Sequence, residues 1–457
     1  MVEVKADFNT AVGPIKPMNA VNNGRHLPPP PQGKEPRELY DKNSSRGSMM
    51  REKTRKLYNE AWERIKRVHI ACFRDMDKPL FLISEQYPGL WLEHVYDSVM
   101  LARLEPEYLG VAVNAIELFI DRQSEEGQLP FAVMDRNRRP ELSEAEAARF
   151  FQIQECVSFF SLALEVYHMN GDRAFLARAY AAGCRWDTWL RAHRMTTGRG
   201  LVEMFVGFDT GHDNSGRTEG MACRGNYTVG GVPQSAATLP PDDGVTPILA
   251  VDMNCNLFAN ERALAEMAAI LGREEEAAAW ERSAAEVKRL LFAYCYDGED
   301  AFFYDVDRQG NKRKYRSSAI FHLFLEGVLD PEEDRETIDR IYREHIQNPD
   351  EFWTPYPFPS MALSDPSVEG HKTFNCWGYY TQGLIVLRCS RWMDRYGYGA
   401  DYDYILGKWV EAWTAHYDSA KLAQEIDPIS GEPTRSSEWY SSGMLAYIYG
   451  CRRLGLV

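Results

Sequence analysis

Several chemistries leave a signature in sequence, and this chain lacks most of them. No apolar run approaches the ~18 residues that read as a transmembrane helix. Basic residues are the minority: 52 Lys and Arg against 67 Asp and Glu give a formal net charge of −15. That balance argues against nucleic-acid phosphates and against an anionic membrane surface as partners. The nine cysteines lie far apart, form no Cys-x-x-Cys and are odd in number, which reads as reduced thiols and not a disulfide framework. The ten histidines include no His-x-x-x-His or His-x-His pair suited to zinc. Gly225 and Gly230-Gly231 are followed by no Lys-Ser/Thr, so no phosphate loop is present, and no Gly-x-Ser-x-Gly nucleophile elbow occurs. Asp252-Met253-Asn254-Cys255-Asn256 has the alternation of a calcium loop without its glycine and closing glutamate. The opening residues, Met1 to Asp7, show no basic-then-apolar leader pattern. A cytoplasmic protein without metal or organic cofactor is the expectation.

What the chain does have is helical periodicity. Residues 1–48 are rich in Pro, Asn and Gly, include Pro28-Pro29-Pro30-Pro31, and read as an extended or disordered arm. Such an arm is also a candidate contact for a homo-oligomer. From there to residue 457, apolar residues recur at helical spacing over 50–73, 95–121, 143–169, 173–192, 256–271, 274–294, 317–326, 332–347, 376–396, 402–417 and 437–453. Strand-like segments are few, Ala301-Phe302-Phe303-Tyr304-Asp305 being the clearest. About a dozen amphipathic helices in consecutive pairs, without a fixed-period repeat, predict one all-α domain over 49–457, an (α/α)6 barrel with long loops. Loops of that length in a compact domain are usually functional.

Four of them combine aromatics with carboxylates. The first runs from Tyr87 through Trp91 to Asp97 and Ser98, where Asp97 and Ser98 also suit a helix cap. The second is Phe208-Asp209-Thr210-Gly211-His212-Asp213-Asn214-Ser215-Gly216-Arg217. It is made of turn-forming residues, yet it sets a carboxyl among an amide, a hydroxyl and a guanidinium, as a general acid requires. The third spans Phe352 to Ser360 and continues from Phe374 to Tyr380. The fourth is Gln424-Glu425-Ile426-Asp427-Pro428-Ile429-Ser430-Gly431-Glu432, followed by Glu438-Trp439-Tyr440. Trp and Tyr beside carboxylates and amides match a sugar, whose C–H faces stack on rings while its hydroxyls bond to polar groups. Trp91, Tyr96, Asp97, Gln154, Asn214, Arg217, Trp353, Trp377, Gln382, Glu438 and Trp439 are the candidate sugar contacts.

These segments resemble the inverting α-glycosidases of the (α/α)6-barrel clan, chiefly glycoside hydrolase family 63 and the related trehalases. The family's acid-bearing segment is similar to Thr210-Gly211-His212-Asp213-Asn214-Ser215-Gly216-Arg217. Its early Trp-x-Trp-Asp-Ser resembles Val95-Tyr96-Asp97-Ser98. Gly127-Gln128-Leu129-Pro130, Asp252-Met253-Asn254 and Glu425-Ile426-Asp427-Pro428-Ile429-Ser430-Gly431 are similar to three further family tracts. Gly216 departs from a family proline and Tyr96 from a tryptophan, as does Phe374-Asn375-Cys376-Trp377 from Tyr-Trp-Arg-Gly. The resemblance implies Asp213 as general acid and Glu425 as general base, with Glu432 and Glu438 as alternatives for the base. Asp97, Arg217, Gln382, Trp377 and Trp439 would then hold the sugar. It implies hydrolysis of a small soluble α-glycoside. Other sugar chemistry on the same barrel, by an epimerase or lyase using assembled His212, His94 and His371, is the alternative, as is a catalytically silent sugar-binding toroid.

Overall fold

The computed structural model describes residues 45–457 apart from 75, 223–227, 230–231, 234–244 and 373–376. Residues 1–44 of the expected arm and Phe374-Asn375-Cys376 therefore lie outside the described residues. Among the described residues, and setting aside the isolated turns Glu144–Ala147 and Val368–His371, twelve helices succeed one another: α1 Ser45–Arg64, α2 Val95–Leu104, α3 Leu109–Asp121, α4 Phe159–Asn170, α5 Arg173–His193, α6 Val251–Ile270, α7 Glu274–Leu290, α8 His322–Leu325 (continuing the 3-10 helix Ser318–Phe321), α9 Arg335–Ile341, α10 Gly383–Arg388, α11 Gly399–Ala415 and α12 Ser441–Arg453.

The even-numbered helices form an inner ring. α2 packs on α4, α4 on α6, α6 on α8, α10 on α12, and α12 back on α2. The remaining gap, between α8 and α10, is bridged by Trp392, whose ring lies 6.3 Å from Phe321 and 5.1 Å from Phe324. Burial separates the rings. Every residue of α2 from Val95 to Ala102 and all six residues of α10 are buried, whereas α7 buries only Ala277, Ala284, Val287 and Leu290. An all-round apolar helix belongs inside, and one with a narrow apolar stripe belongs on the outer layer. α1 packs on both α11 and α12, which ties the start of the described chain to its end. The result is the expected (α/α)6 barrel.

Element boundaries moved where local chemistry overrides periodicity. Pro106, lacking an N–H and holding Glu105 extended (φ −140°), splits the 95–121 tract into α2 and α3. The 143–169 tract is helical only from Phe159. Its start is a single turn capped reciprocally by Ser143 and Glu146, after which Ala148–Arg149 pairs with Ala132–Val133. Short strands come before inner helices in the chain: Gly89–Trp91 before α2, Ile248–Leu249 before α6, Thr381–Gln382 before α10 and, across a longer loop, Glu425–Ile426 before α12. They gather the long loops at the N-terminal end of the inner ring, where chain polarity favours ligand binding. No helix among the described residues is long and apolar enough to cross a membrane.

Candidate active site

At that end the loops enclose a cavity of about 400 Å³. Tyr87, Trp91, Phe131, Phe151, Trp377 and Tyr440 give it an aromatic wall, into which Glu93, Asp213, Gln152, Gln154, Gln424, Arg139 and Arg149 are set. A concave, mostly apolar pocket with a few convergent polar groups is the usual form of a small-molecule site.

Asp213 reaches the cavity because its loop is pinned on both sides by buried charge. On the upstream side Asp209, fully buried, accepts from Arg194 Nη1 (2.6 Å) and from the backbone N–H groups of Ile153 (2.9 Å), Phe205 (2.8 Å) and Val206 (3.1 Å). On the downstream side Arg217 sits between two buried aspartates. Its Nη1 and Nη2 donate to Asp252 (2.7 and 2.9 Å), and Nε and Nη2 donate to Asp305 (2.8 and 2.9 Å). The remaining N–H points at His212 Nδ1, 3.3 Å away. All five donors of the guanidinium are thus engaged within the protein, so Arg217 orients the loop. The His212 ring, directly before Asp213, stacks on Trp377 with centroids 4.0 Å apart. The Asp213 loop and Trp377 are therefore one packed unit.

Gly211 makes this packing possible. It adopts φ +78°, and a Cβ there would collide with Cys156 Sγ. Gly211→Ala should lower stability by about 1–3 kcal/mol through strain and overpacking. The same change displaces Asp213, so activity should fall more than the loss of folded protein accounts for. Thermal unfolding read beside specific activity tests this, and a variant equal to the parent in both would refute it.

The second carboxyl, Glu425, is fully buried beside Gln424 of the wall. Its strand pairs Gln382 with Glu425, and Thr434 Oγ1 donates to Glu425 Oε2 at 3.4 Å. The other two glutamates of that region, Glu432 and Glu438, are solvent-exposed.

Of the remaining expected contacts, Trp91, Gln154 and Trp377 line the cavity. Gln154 and Trp377 have left-handed φ (51° and 58°), as does Asn214 (64°) beside Asp213. Such strained backbone is concentrated at functional sites. Gln382 is buried, donating to Ser360 Oγ at 3.4 Å. Tyr96 is buried between the guanidinium groups of Arg388 and Arg391. Trp353 is stacked on Tyr404 of α11, 5.7 Å away, and Trp439 lies against Arg64 and Lys421. Neither tryptophan is among the cavity-lining residues.

Asp97 is fully buried on α2 and accepts a hydrogen bond from Ser441. Burial pushes its carboxyl up to about 7 against the pull of Ser441 and Arg388. Its folded pKa therefore lies above the unfolded value of 3.8. Between those values the unfolded chain releases a proton that the folded one keeps, so stability falls as pH rises through that window. Asp97→Asn, which still accepts from Ser441, should unfold a few degrees higher than the parent at pH 8. The difference should vanish near pH 4, and calorimetry at the two pH values decides it.

The histidines scatter further than the sequence allows one to judge. His212 packs on His322 (5.7 Å), His94 Nε2 bonds with the Tyr440 hydroxyl at 2.6 Å, and His371 Nδ1 with the Ser367 carbonyl at 2.8 Å. His212, Asp252 and His322 bring ligand atoms within 4.8 Å of one another. Both Asp252 oxygens, however, already bind Arg217, whose guanidinium fills the role of a cation there. Burial keeps both imidazoles neutral, His322 being lowered to about 3.

Sequence reasoning missed Glu93, Arg139, Arg149, Tyr440 and Gln424 as wall residues. Glu93, Gln424 and Tyr440 lie within suspected loops but are not among the expected sugar contacts. Nothing in sequence separates Arg139 and Arg149 from other surface charge.

A helical toroid whose loops surround an aromatic cavity with acid groups is a sugar-processing architecture, and comparison with known proteins narrows it. Residues 87–441 match the mannosylglycerate hydrolase MGH1-like glycoside hydrolase domain. The chain belongs to that family and is a glycoside hydrolase. Among solved structures, the family 63 mannosylglycerate hydrolase from Thermus thermophilus in complex with Tris aligns over 86% of this chain and 99% of its own, with TM-score 0.65 and 17% identity. The neutral trehalase of Saccharomyces cerevisiae covers 82% of this chain and 73% of its own (TM-score 0.61, 15% identity). A metal-independent α-mannosidase from Streptococcus pneumoniae covers 92% and 98% (TM-score 0.56, 14% identity). At these identities the structural likeness speaks for the fold. No curated protein matches the chain in sequence.

Proposed function

We propose that the enzyme hydrolyses a small α-glycoside of mannose or glucose with inversion, Asp213 acting as general acid and Glu425 as general base. The observation that carries this reading is that Asp213 and Gln424 line one cavity, and that Gln424 leads directly into the buried Glu425, whose strand Glu425–Ile426 pairs with Thr381–Gln382. Protonated Asp213 gives its proton to the glycosidic oxygen as the bond to the anomeric carbon breaks. Glu425 takes a proton from the water that attacks the opposite face. Inversion requires the two carboxyls to be roughly 6.5–9.5 Å apart, leaving room for that water. Trp91 and Trp377 offer faces to the sugar ring, Gln154 an amide, and Arg217 acts through the loop it holds.

Arg139 and Arg149 at the cavity favour an aglycone bearing a carboxylate, which a guanidinium binds with paired, charge-assisted hydrogen bonds. The Thermus enzyme is known in complex with Tris and D-glycerate, which makes mannosylglycerate the first substrate to offer this chain. Proton NMR of the reaction, with α-mannosyl and α-glucosyl glycerates beside neutral glycosides, tests all of it. First release of the β-anomer supports inversion, and first release of the α-anomer refutes it. A preference for neutral aglycones would refute the role given to the arginines.

A further inference from the structure

Among the described residues, Glu93 is the one carboxyl of the cavity wall that this mechanism leaves without a task. It follows Trp91 in the turn that opens α2, and although it lines the cavity only 5% of its surface is exposed. Its Oε1 lies 3.6 Å from His94 Nδ1, while Oε2 accepts no hydrogen bond from the described residues. The nearby Cys156 thiol has its single proton directed to the Thr210 carbonyl (2.8 Å). His94 is fixed through Nε2 to Tyr440, another wall residue.

Behind this group stands Arg388 of α10, buried in the barrel interior. Its Nη1 donates to the Cys156 carbonyl at 3.1 Å, while its Nε and Nη2 have no partner among the described residues. Burial raises the Glu93 carboxyl, while the Arg388 charge and the neighbouring Cys156 thiol act in the opposite sense. A buried carboxylate oxygen without a hydrogen-bond donor is costly, and is retained where a ligand supplies the donor. Sugar hydroxyls are donors of that kind. A carboxylate accepts two neighbouring ones at once, in charge-assisted bonds roughly twice as strong as those to the neutral amides of Gln152, Gln154 and Gln424. Trp91, two residues before Glu93 and edge-on to Tyr87 at 5.0 Å, lines the same cavity.

We propose that Glu93 is a specificity-determining residue of the glycone pocket, accepting hydrogen bonds from two adjacent hydroxyls of the sugar ring. The assignment rests on the reading of this cavity as a sugar site and not on the roles of Asp213 and Glu425.

The test measures binding of free D-mannose, D-glucose and their singly deoxygenated analogues by calorimetry, on the parent, Glu93→Gln and Glu93→Ala. In the parent, removal of either of two adjacent hydroxyls should weaken binding about tenfold or more. Glu93→Ala should bind the intact sugar at least tenfold more weakly and no longer distinguish the two deoxy analogues from it. Glu93→Gln, which keeps size and one acceptor, should fall between, with a melting temperature near that of the parent as the check on folding. The proposal is overturned if Glu93→Ala keeps the parent's pattern of deoxy penalties, if the sensitive positions are not adjacent, or if the parent binds neither sugar. Failure of the hydrolytic reading is separately visible, as binding of the free sugars without release of sugar from any glycoside.

Discussion

Asp213→Asn is expected to lower kcat on a natural α-glycoside by about a hundred- to ten-thousand-fold, with KM changed only a few-fold. The side chain keeps its size and its place in the wall, but it has no proton to give. The leaving group sharpens the prediction. A glycosyl fluoride or dinitrophenyl glycoside departs without protonation, so the Asp213 variant should recover most of its rate on those substrates. Glu425→Gln should lose a comparable factor and recover nothing, because its missing task is activation of water and no leaving group replaces that. Steady-state kinetics on an oxygen-linked and an activated glycoside distinguish the two roles. If the activated substrate rescues Glu425→Gln and not Asp213→Asn, the assignments are reversed. If neither variant loses activity, the chemistry is carried elsewhere in the cavity, and Glu93 becomes the first residue to examine.

The sequence made the barrel and the Asp213 loop legible for different reasons. Helix pairing shows in sequence because inner and outer helices differ in how much of their surface is apolar, as α10 and α7 do. The Asp213 loop shows because a tight turn must be built from Gly, Asn and Ser, and because Arg217 follows it. Glu93 did not show, since a glutamate before a helix is ordinary, and only burial against an open cavity marks it. Tryptophan was informative in part. Trp91 and Trp377 line the cavity, whereas Trp353 is packed on Tyr404 and Trp439 lies against two cations. An aromatic beside a carboxylate in sequence looks the same in either setting. The difference lies in which way a loop turns after a left-handed residue such as Trp377 or Trp439 (φ 58° and 57°), and that depends on partners distant in sequence.

Arg217→Met is expected to be the most damaging of the substitutions to stability. Asp252, Arg217 and Asp305 are all buried, and removing the central cation leaves two carboxyls facing each other in a low-dielectric interior. Breaking a buried pair in this way costs about 3–5 kcal/mol, a fall in Tm of roughly 3–6 °C for a chain of this size. The pH dependence gives the stricter test. In the parent, the guanidinium and its hydrogen bonds outweigh burial and hold Asp252 well below the usual carboxylate range. That contribution to stability is present above the unfolded pKa of 3.8 and is lost only as pH falls through the folded value. Asp305, pushed up by burial, is the partner that takes a proton first. Without Arg217, burial and mutual repulsion raise both groups, so the folded state binds protons that the unfolded state releases. The sign of this cluster's contribution then inverts, and the variant should gain more stability than the parent on going from pH 8 to pH 5, where the parent's Asp252 contribution is flat. Arg217→Lys, with three donors and no planar fork, should keep the parent's sign and lose part of the stability. Because Asp213 is four residues upstream, activity at a temperature where both variants remain folded should fall as well. Unfolding curves for Arg217→Met that match the parent across this pH range would show that the two carboxyls do not depend on the guanidinium.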